Sequence, residues 1–415
     1  MKVCLLTHSY PRFRGDWRSN FLHSLACAYA RQGAEVTVLV PLSAEWDGGP
    51  GDDADITIKT FRYLPFRSWH RFGYGRAMKG DLHFSLSALL AIPLVMFFGI
   101  LALGRLWRKN RFDLVQAHWA VPNTLIAVVA RRLFACRGKV FTSFPGSDVT
   151  ALVKLGCIGR LFGRIIARSD FLSCNSSDLR EDLDRYCNIP EQRIDSVIYG
   201  VNPGIITAAS AQRRAVRRRL GVGPDEIVLL MIGRFVKKKG FETALQAMPE
   251  IVRQYPQVKL VIVGDGPLVD EYQSIIKKFK LGAMVLLPGQ VPLDALPGYY
   301  AAADLFLMPS RRQPSDGLNT VVPEAMAAGL AIVASRVGGN DLVVTHEYNG
   351  LLHEPEDPRG LSRAVIGLLG SPKTMKLYGR RSASLAKTRF SWDAIACYNL
   401  ERYKNMTGMD CGAPD

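Results

Sequence analysis

The sequence predicts an α/β protein made of two doubly wound domains, each with a parallel sheet covered by helices on both faces. Two observations lead to this fold class. Short apolar runs rich in Val, Ile and Leu alternate with helical patterns, which is typical of fully buried parallel strands. The alternation also occurs twice along the 415 residues, and a chain of this length is sufficient for two or three domains.

The first series of predicted elements occupies the N-terminal half. Its strands are VCLLT, EVTVLVP, FDLVQAH, KVFTSF and FLSCNS, with helices predicted at 20–32 and 124–134. The second series has the strands IVLLMIG, VKLVIVG, MVLLPG, DLFLMPS and LAIVAS, with helices predicted at 242–254 and 268–280. The two series meet near 199–204, so we predict a first domain at 1–203 and a second domain that begins at residue 204.

The composition is that of an ordinary globular protein, with 48% hydrophobic and 22% charged residues. The net charge of +16 favours anionic partners such as phosphorylated substrates, nucleic acid or an acidic membrane, although plain solubility would also account for it. The eight cysteines form no CxxC pair and have no zinc-type spacing, which indicates reduced thiols in a reducing compartment. The N-terminal apolar run is too short for a signal peptide, so we predict a cytoplasmic protein.

Residues 84–103 form an uncharged stretch of twenty residues, which is long enough for a transmembrane helix. The runs VCLLT before it and FDLVQAH after it are both predicted strands of one parallel sheet, and a span would separate them across the bilayer. Pro93 and Gly99 also interrupt the stretch. We therefore predict a helix that is either buried or lies in the membrane surface.

The residues around this stretch favour the membrane surface. Between Lys59 and Arg111 there are ten Lys or Arg residues and one acid, Asp81, with aromatic residues interleaved. Basic and aromatic groups around an apolar helix are typical of binding to anionic lipid, so we predict peripheral contact of 59–111 with the inner face of the cell membrane. Stacking on RNA or single-stranded DNA is the alternative. Because the pattern is confined to one segment without a nucleic-acid motif, we predict no nucleic-acid partner.

Ligands of open α/β sheets bind beyond the C-terminal ends of the strands, so the loops that follow strands should carry the chemistry. The loop GRFVKKKG after IVLLMI supplies Arg234 and Lys239, and two fixed cations can hold a diphosphate. The alternative is a solvated basic loop. The turn GDGP at 264–267 lacks the third glycine of a dinucleotide fingerprint and is better explained as a tight turn.

A helix is predicted to begin just after the strand DLFLMPS. Thr320 is its predicted N-cap, and Pro323 is tolerated in its first turn. The backbone N–H groups of 319–321 would then point toward the ends of the strands, where a helix N-terminus can bind phosphate.

Two acids, Asp316 and Glu324, flank this helix start. Glu324 would lie one turn into the helix, where its carboxylate can accept both hydroxyls of a ribose. Asp316 would lie across the loop and could accept hydroxyls from a second sugar. The alternative is that Asp316 is only a turn residue and Glu324 only a first-turn helix acid.

An ordered set of motifs resembles glycosyltransferase family 4 (group 1), whose members are retaining enzymes of GT-B fold, with two Rossmann-like domains facing a cleft. The stretch DGLNTVVPEAMAAGLAIVASRVGG is similar to the EX7E region of that family, and the resemblance covers nearly the whole chain. The other similar stretches, in the same order as in the family, are SYPRFRGDWRSNFLHSLACAYARQGAEVTVLVP, IYGVN, GRFVKKKG, VIVGDGPL, LPGQVPLDALPGYYAAADLFLMPS and FSWDAIACYNLERY.

The resemblance implies a role for each matching residue. Arg234 and Lys239 would bind the donor diphosphate, Glu324 the ribose and Asp316 the transferred sugar. The backbone would serve the donor at further positions: Gly15, Gly233, Gln290, Val291, Gly317, Leu318, Asn319, Thr320 and Val321. The acceptor would bind the domain at 1–203, the donor the domain at 204–390, and the segment 391–415 would cross back to the first domain. No bound metal or other cofactor is implied, because fixed cations and a helix terminus replace it.

Two departures from the family pattern stand out. The first acid of EX7E is usually Glu, and here it is Asp316. The family usually has HG-x-D where this chain has Pro145, Gly146 and Asp148, so a histidine that would touch the sugar is replaced by a residue without a donor. Asp148 could serve the acceptor side. His118 in QAHWAVP matches a different motif and is either a site residue or a packed strand-end residue.

The sequence therefore predicts a retaining glycosyltransferase that moves a sugar from a nucleotide diphosphate sugar to a lipid-linked or polysaccharide acceptor in cell-surface glycan biosynthesis. A GT-B sugar phosphorylase or epimerase is the alternative enzyme. A non-catalytic nucleotide-sugar-binding subunit is the alternative from another class, and Pro145 is the feature that suggests it.

Overall fold

The chain folds into two compact α/β units. The computed structural model describes residues 1–16, 18–51, 55–73, 78–79, 83–84, 86–204, 209–314 and 317–407. Unit 1 contains Met1–Asn175, Leu179–Val197 and the C-terminal segment from Trp392. Unit 2 contains Ser176–Asp178 and Ile198–Ser391.

Unit 1 is built on a seven-stranded sheet in the order β3-β2-β1-β6-β7-β8-β9, in which neighbouring strands are parallel. These strands are β1 (Lys2–Leu6), β2 (Glu35–Pro41), β3 (Ile56–Phe61), β6 (Leu114–His118), β7 (Lys139–Phe144), β8 (Phe171–Cys174) and β9 (Ile194–Ser196). The two-residue strands β4 (Met78–Lys79) and β5 (His83–Phe84) form a separate antiparallel pair. The α-helices along this part of the chain are Asn20–Arg31, Leu86–Asn110, Leu125–Leu133, Ser147–Lys154, Cys157–Ile166, Ser177–Cys187 and, from the C-terminus, Trp392–Thr407.

The C-terminal helix is tied to the first helix of unit 1. Arg31 forms an ion pair with Asp393 at 2.7 Å, and Asn399 donates a hydrogen bond to the Tyr29 hydroxyl at 3.1 Å. The last helix of the chain therefore packs against the first helix and belongs to the same unit.

Unit 2 is built on a six-stranded parallel sheet in the order β12-β11-β10-β13-β14-β15. Its strands are β10 (Ile227–Ile232), β11 (Val258–Val263), β12 (Val285–Gly289), β13 (Leu305–Met308), β14 (Ala331–Ser335) and β15 (Gly350–His353). Its α-helices are Arg213–Arg219, Phe241–Gln254, Val269–Lys278, Leu296–Ala302, Val321–Ala327, Asn340–Val343, Pro358–Leu369 and Pro372–Thr388. The central strands are buried almost end to end, as the continuous apolar runs predict.

The predicted fold class is confirmed, and all ten predicted strands are present. The four helices predicted at 20–32, 124–134, 242–254 and 268–280 begin and end within two residues of the observed ones, whereas the helix predicted from the stretch 84–103 continues to Asn110. Five short or edge strands were not predicted: β3, β4, β5, β9 and β15. β3 lies at the edge of its sheet with most of its residues in contact with solvent, so its sequence ITIKTF lacks a continuous apolar run.

The apolar stretch forms the predicted helix, Leu86–Asn110, which packs along one face. Val95, Leu103 and Trp107 are buried, while Leu90, Leu94, Phe97 and Phe98 are exposed. The part Leu90–Asn110 is long and apolar enough to cross a membrane by length and composition alone. However, β3 before the helix and β6 after it lie in the same sheet.

Gly99 does not interrupt this helix, contrary to the prediction. A Cβ on Gly99 would lie 2.8 Å from the Ile126 side chain, and one on Gly104 would lie 2.2 Å from the Phe134 ring. The two glycines therefore allow the helix to approach the segment that contains Leu125–Leu133.

Candidate functional site

The strand ends of unit 2 bring two of the predicted ligand-binding groups into direct contact. Lys239 lies in the short 3₁₀ turn Lys237–Lys239 that follows β10, and its Nζ donates a hydrogen bond to Oδ1 of Asn319. Asn319 is buried and its Nδ2 donates to Oγ of Ser310, just after β13, at 3.2 Å. The loops after β10 and β13 and the start of the helix Val321–Ala327 therefore meet at one point.

A glycine allows these loops to come this close. Gly240 follows Lys239 with φ of 63°, and a Cβ at this position would lie 2.0 Å from the carbonyl oxygen of Pro309. The amide of Arg311 also donates to the Lys238 carbonyl at 3.0 Å. A larger residue at 240 would push the two loops apart and separate Lys239 from Asn319.

Glu324 lies one turn into the helix Val321–Ala327, as predicted, and has a partner that the sequence analysis missed. The Tyr300 hydroxyl donates to Oε2 of Glu324 at 2.6 Å, and Tyr300 is fully buried. Burial raises the pKa of Glu324 to about 7, and the hydrogen bond from Tyr300 opposes this rise. Tyr300 thus fixes one carboxylate oxygen and leaves the other to a ligand.

The remaining predicted donor-binding residues of unit 2 lie in loops at the same edge of the sheet. Gly233 directly follows β10, and the next residue, Arg234, is exposed. Gln290 and Val291 follow β12, two strands away from β10. Within the described part of unit 2, neither residue forms a hydrogen bond with the Lys239–Asn319 pair.

The loop that carries the first acid is only partly described. Asp316 lies outside the described residues, whereas Gly317 and Leu318 are buried and Val321 begins the helix. Thr320 occupies the N-cap position, but the predicted capping hydrogen bond from its side chain is not formed. Its own φ and ψ of −56° and −25° are helical, whereas a capping side chain usually needs an extended backbone.

The turn GDGP packs against the loop after β10. A Cβ on Gly264 would lie 1.9 Å from the Gly233 carbonyl oxygen, and one on Gly266 would lie 2.6 Å from that of Phe235. The glycines therefore serve close backbone packing, in agreement with the prediction of a tight turn.

In unit 1, a buried arginine holds the loop that contains Gly15. Arg12 is 1% exposed and forms ion pairs with Asp16, at 2.6 Å, and with Glu45. Burial raises the pKa of Asp16, but the hydrogen bonds from Arg12 outweigh this effect and the net pKa is lowered. Gly15 has φ of 87°, and a Cβ there would meet no atom within 4 Å. The backbone of Gly15 is therefore open to approach.

The strand ends of unit 1 carry a pair of histidines joined by one amide. Asn123 is buried, and its Nδ2 donates to the His118 carbonyl at 2.6 Å and to Nδ1 of His8 at 3.1 Å. Since Nδ1 of His8 accepts this bond, its ring is neutral with the proton on Nε2, and burial lowers its pKa to about 4. His8 lies two residues after the end of β1, so the rule of strand-end loops could have identified it.

His118 is the last residue of β6 and is 1% exposed, with no hydrogen-bond partner for either ring nitrogen among the described residues. Burial lowers its pKa to about 3, so the ring is neutral. An unpaired buried ring at a strand end is compatible with a site role.

Asp148 holds two loops together. Its Oδ2 accepts from the amide of Ala120 at 2.8 Å and its Oδ1 from the amide of Gly146 at 3.1 Å. Burial raises the pKa of Asp148 to about 6, although these backbone hydrogen bonds oppose the rise. Both oxygens are used by the protein, and Pro145 lies beside them, half-buried in the same loop.

Within the described residues, no group of three or more His, Cys, Asp or Glu side chains is arranged to hold a metal ion.

Comparisons with known proteins match both units. The family described as glycosyl transferases group 1 matches residues 212–384, and glycosyltransferase family 4 matches residues 19–205. The chain is 31% identical over 418 residues to an uncharacterized glycosyltransferase of Methanocaldococcus jannaschii, a match that covers 97% of this chain and 98% of the relative.

A second relative has a more specific name. The chain is 29% identical over 308 residues to the GDP-mannose-dependent alpha-(1-6)-phosphatidylinositol monomannoside mannosyltransferase of Mycolicibacterium smegmatis, covering 69% of this chain and 75% of the relative. Among solved structures, HepE of Anabaena in complex with UDP is similar, with a TM-score of 0.70 and 18% identity over 98% of this chain and 100% of that one. This last likeness concerns the fold.

Proposed function

Because this chain belongs to the group 1 glycosyltransferases of family 4 and is a glycosyl transfer enzyme of GT-B fold, we propose that its donor is a nucleotide diphosphate sugar. The acceptor is lipid-linked or a polysaccharide, the anomeric configuration is retained, and the product enters cell-surface glycan. The enzyme works in the cytoplasm, peripherally at the inner face of the cell membrane.

The contact between Lys239 and Asn319 carries this proposal. It brings a cation from the loop after β10 to the start of the helix that bears Glu324. A diphosphate that entered here would replace Asn319 as the partner of the Lys239 ammonium group, and exposed Arg234 would supply a second charge. Glu324, one turn away, would then accept the ribose hydroxyls with the oxygen that Tyr300 does not occupy.

The proposed chemistry needs no protein nucleophile. The acceptor hydroxyl attacks the anomeric carbon on the face from which the phosphate leaves, and the departing phosphate oxygen takes the proton from that hydroxyl. Arg234 and Lys239 neutralise the charge that develops on the diphosphate, which is the usual role of fixed cations in such transfers. Asp316 holds the transferred sugar, and no cofactor or metal takes part.

The remaining donor contacts are made by the backbone. Gln290 and Val291 contact the base, and the open backbone at Gly15 lets the main chain approach the diphosphate. The names of similar proteins support a nucleotide donor, since HepE is described in complex with UDP and the M. smegmatis relative as GDP-mannose-dependent. That relative's phosphatidylinositol substrate supports a lipid-linked acceptor.

The exposed apolar residues of unit 1 support the membrane contact. Leu90, Leu94, Phe97 and Phe98 form an exposed stripe on the helix Leu86–Asn110, which ends in the basic residues Arg105, Arg108 and Lys109. An exposed apolar patch of this kind, rimmed by positive charge, is typical of an anionic lipid interface.

A ligand screen followed by a transfer assay tests the proposal. UDP-, GDP- and ADP-sugars are compared by thermal shift, because a ligand that binds only the folded state raises the melting temperature. The stabilising donor is then used with lipid-linked and polysaccharide acceptors. Lys239→Ala should lose both the shift and the turnover, whereas Lys237→Ala, an exposed lysine of the same turn, should retain them. A donor that binds without being turned over with any acceptor would contradict the proposal.

A further inference from the structure

An apolar trench lies in unit 1 between the segment 63–73 and the beginning of the helix Leu86–Asn110. Its volume is about 500 Å³, within the range of small-molecule sites. The residues that line it are mostly apolar and include Leu64, Trp69, Phe72, Leu90, Leu94 and Arg71. Phe72 is buried, while Trp69 and Leu90 are 55% and 69% exposed. The trench therefore exposes apolar side chains to water, and burying them under an apolar ligand would be favourable.

The charge beside the trench limits what can cover it. Residues 59–73 contain four Lys or Arg residues and no acid. Arg71 lines the trench, is exposed, and has no ion-pair partner within the described part of the chain. An apolar surface with an exposed guanidinium at its wall suits a hydrocarbon chain attached to a phosphate. A neutral glycan would match neither feature.

One wall of the trench, Phe72, packs against His8 at the strand ends. The ring of Phe72 lies 5.7 Å from that of His8, centroid to centroid, and the His8 ring lies 4.8 Å from that of Trp119. Gly73 packs so closely on His8 that a Cβ would be 2.1 Å from the His8 carbonyl oxygen. The trench is therefore separated from His8 by the thickness of one ring, and a polar group that extends past Phe72 would reach His8.

We propose that this trench binds the hydrocarbon chain of a phosphate-linked lipid acceptor, with the phosphate at Arg71 and the group to be glycosylated beside His8. This inference rests on the proposed transfer reaction and deepens it, because it selects a lipid-linked acceptor over a polysaccharide. The occupant is the acceptor itself, whereas bilayer lipids would contact Phe97 and Phe98, which lie on the same helix and do not line the trench.

Photolabelling tests the site without a donor. The probe is a decyl phosphate with a diazirine in its chain, used below its micelle concentration, and labelled peptides are identified by mass spectrometry. We expect label on 64–72 and 90–94. Dodecyl phosphate should compete, whereas dodecanol, inorganic phosphate and a soluble two-chain phosphatidylglycerol should compete at least tenfold less well. Full competition by inorganic phosphate or dodecanol would overturn the proposal, and equal competition by phosphatidylglycerol would assign the trench to bilayer lipid.

A matched pair of variants distinguishes probe binding in the trench from nonspecific binding to exposed apolar side chains. Leu94 and Phe98 lie one turn apart on the same helix and are both 39% exposed, but only Leu94 lines the trench. Leu94→Glu should weaken probe binding at least tenfold, and Phe98→Glu should leave it unchanged. Equal losses, or equal labelling of the exposed helix Cys157–Ile166, would overturn the proposal.

The transfer reaction provides an independent outcome. If a lipid acceptor is glycosylated with the same KM by the parent and by Leu94→Glu, the trench is not its site, although the proposed function stands. If the probe binds as expected but no sugar is transferred to any acceptor, the trench binds a phosphate-linked lipid, but both the proposed function and the role of that lipid as acceptor fail.

Discussion

The hydrogen bond between Tyr300 and Glu324 predicts how donor binding depends on pH. Only the ionised carboxylate can accept two ribose hydroxyls, and burial places the pKa of Glu324 at about 7. Apparent affinity should therefore fall as the carboxyl group is protonated. With this pKa, the apparent Kd should rise about tenfold between pH 8 and pH 6.

Tyr300→Phe changes this profile in a calculable direction. The substitution keeps the buried ring but removes a hydrogen bond to a charged group, which is worth about 1.5–3 kcal/mol. At 1.36 kcal/mol per pKa unit, the pKa of Glu324 should rise by about 1–2 units. At pH 8 the variant should then bind about two- to tenfold more weakly than the parent through the pKa change alone.

Folding stability should respond to pH in the opposite direction from affinity. The pKa of Glu324 is raised in the folded state from 4.5 to about 7. Its contribution is therefore fully present below about pH 4.5 and is lost as the pH rises through about 7. The free energy of unfolding should decrease across the range in which donor affinity increases.

Calorimetric titration with the nucleotide-sugar from pH 6 to 8.5 measures the profile, because that ligand has no phosphate group that titrates near neutrality. Glu324→Gln removes the titrating group and should abolish the slope, while Tyr299→Phe, a buried neighbour, should reproduce the parent. A flat profile for the parent, or the same slope in Glu324→Gln, would refute the assignment of Glu324 to the ribose.

Three further predictions concern residues with distinct proposed roles. Asp316→Ala should bind the bare nucleoside diphosphate like the parent but lose turnover and sugar discrimination. Glu324→Ala should bind the same nucleoside diphosphate about tenfold to a hundredfold more weakly in calorimetry. Equal losses of nucleoside diphosphate affinity in the two variants would show that both acids merely shape the loop. Pro145→His should leave donor binding unchanged and alter turnover or sugar choice, and identical kinetics would show that the position is not used as in the family. The protein should sediment with anionic vesicles through 59–111 and be released as salt screens the attraction; no excess over neutral vesicles at low salt would contradict the membrane contact.

The fold was predictable because its central strands have continuous apolar sequences. β10 is IVLLMI and is buried along nearly its whole length, so its sequence alone identifies it. The edge strand β3 has no such signal, because it pairs with β2 on one side only and most of its residues are in contact with solvent. A continuous apolar run therefore identifies a strand even at a sheet edge, as MVLLPG does for β12, whereas an exposed edge strand without such a run is missed.

The sequence predicted which loops form the candidate site, but not which residues form hydrogen bonds with its key side chains. Lys239 and Glu324 follow from strand-end position and from the family resemblance, but their contacts with Asn319 and Tyr300 depend on tertiary packing. Tyr300 is 24 residues before Glu324, in a helix whose tyrosines resemble core residues. The predicted capping hydrogen bond of Thr320 was wrong, because N-cap preferences depend on residue type alone, whereas the backbone at Thr320 is helical.

The carboxyl groups of Glu324 and Asp148 differ in how many oxygens remain available to a ligand, and this difference can be tested at Asp148. Both of its oxygens accept backbone amides, so Asp148 should position the loops after β6 and β7 rather than contact the acceptor. In Asp148→Asn, the side-chain NH₂ would face one of these amides and leave it unpaired, at a cost of about 1–3 kcal/mol. We expect a lower melting temperature, by roughly 2–4 °C for each kcal/mol in a unit of this size. Donor affinity should be unchanged, because the side chains proposed to bind the donor belong to unit 2. A variant of parental stability whose acceptor KM alone is raised would show instead that Asp148 touches the acceptor.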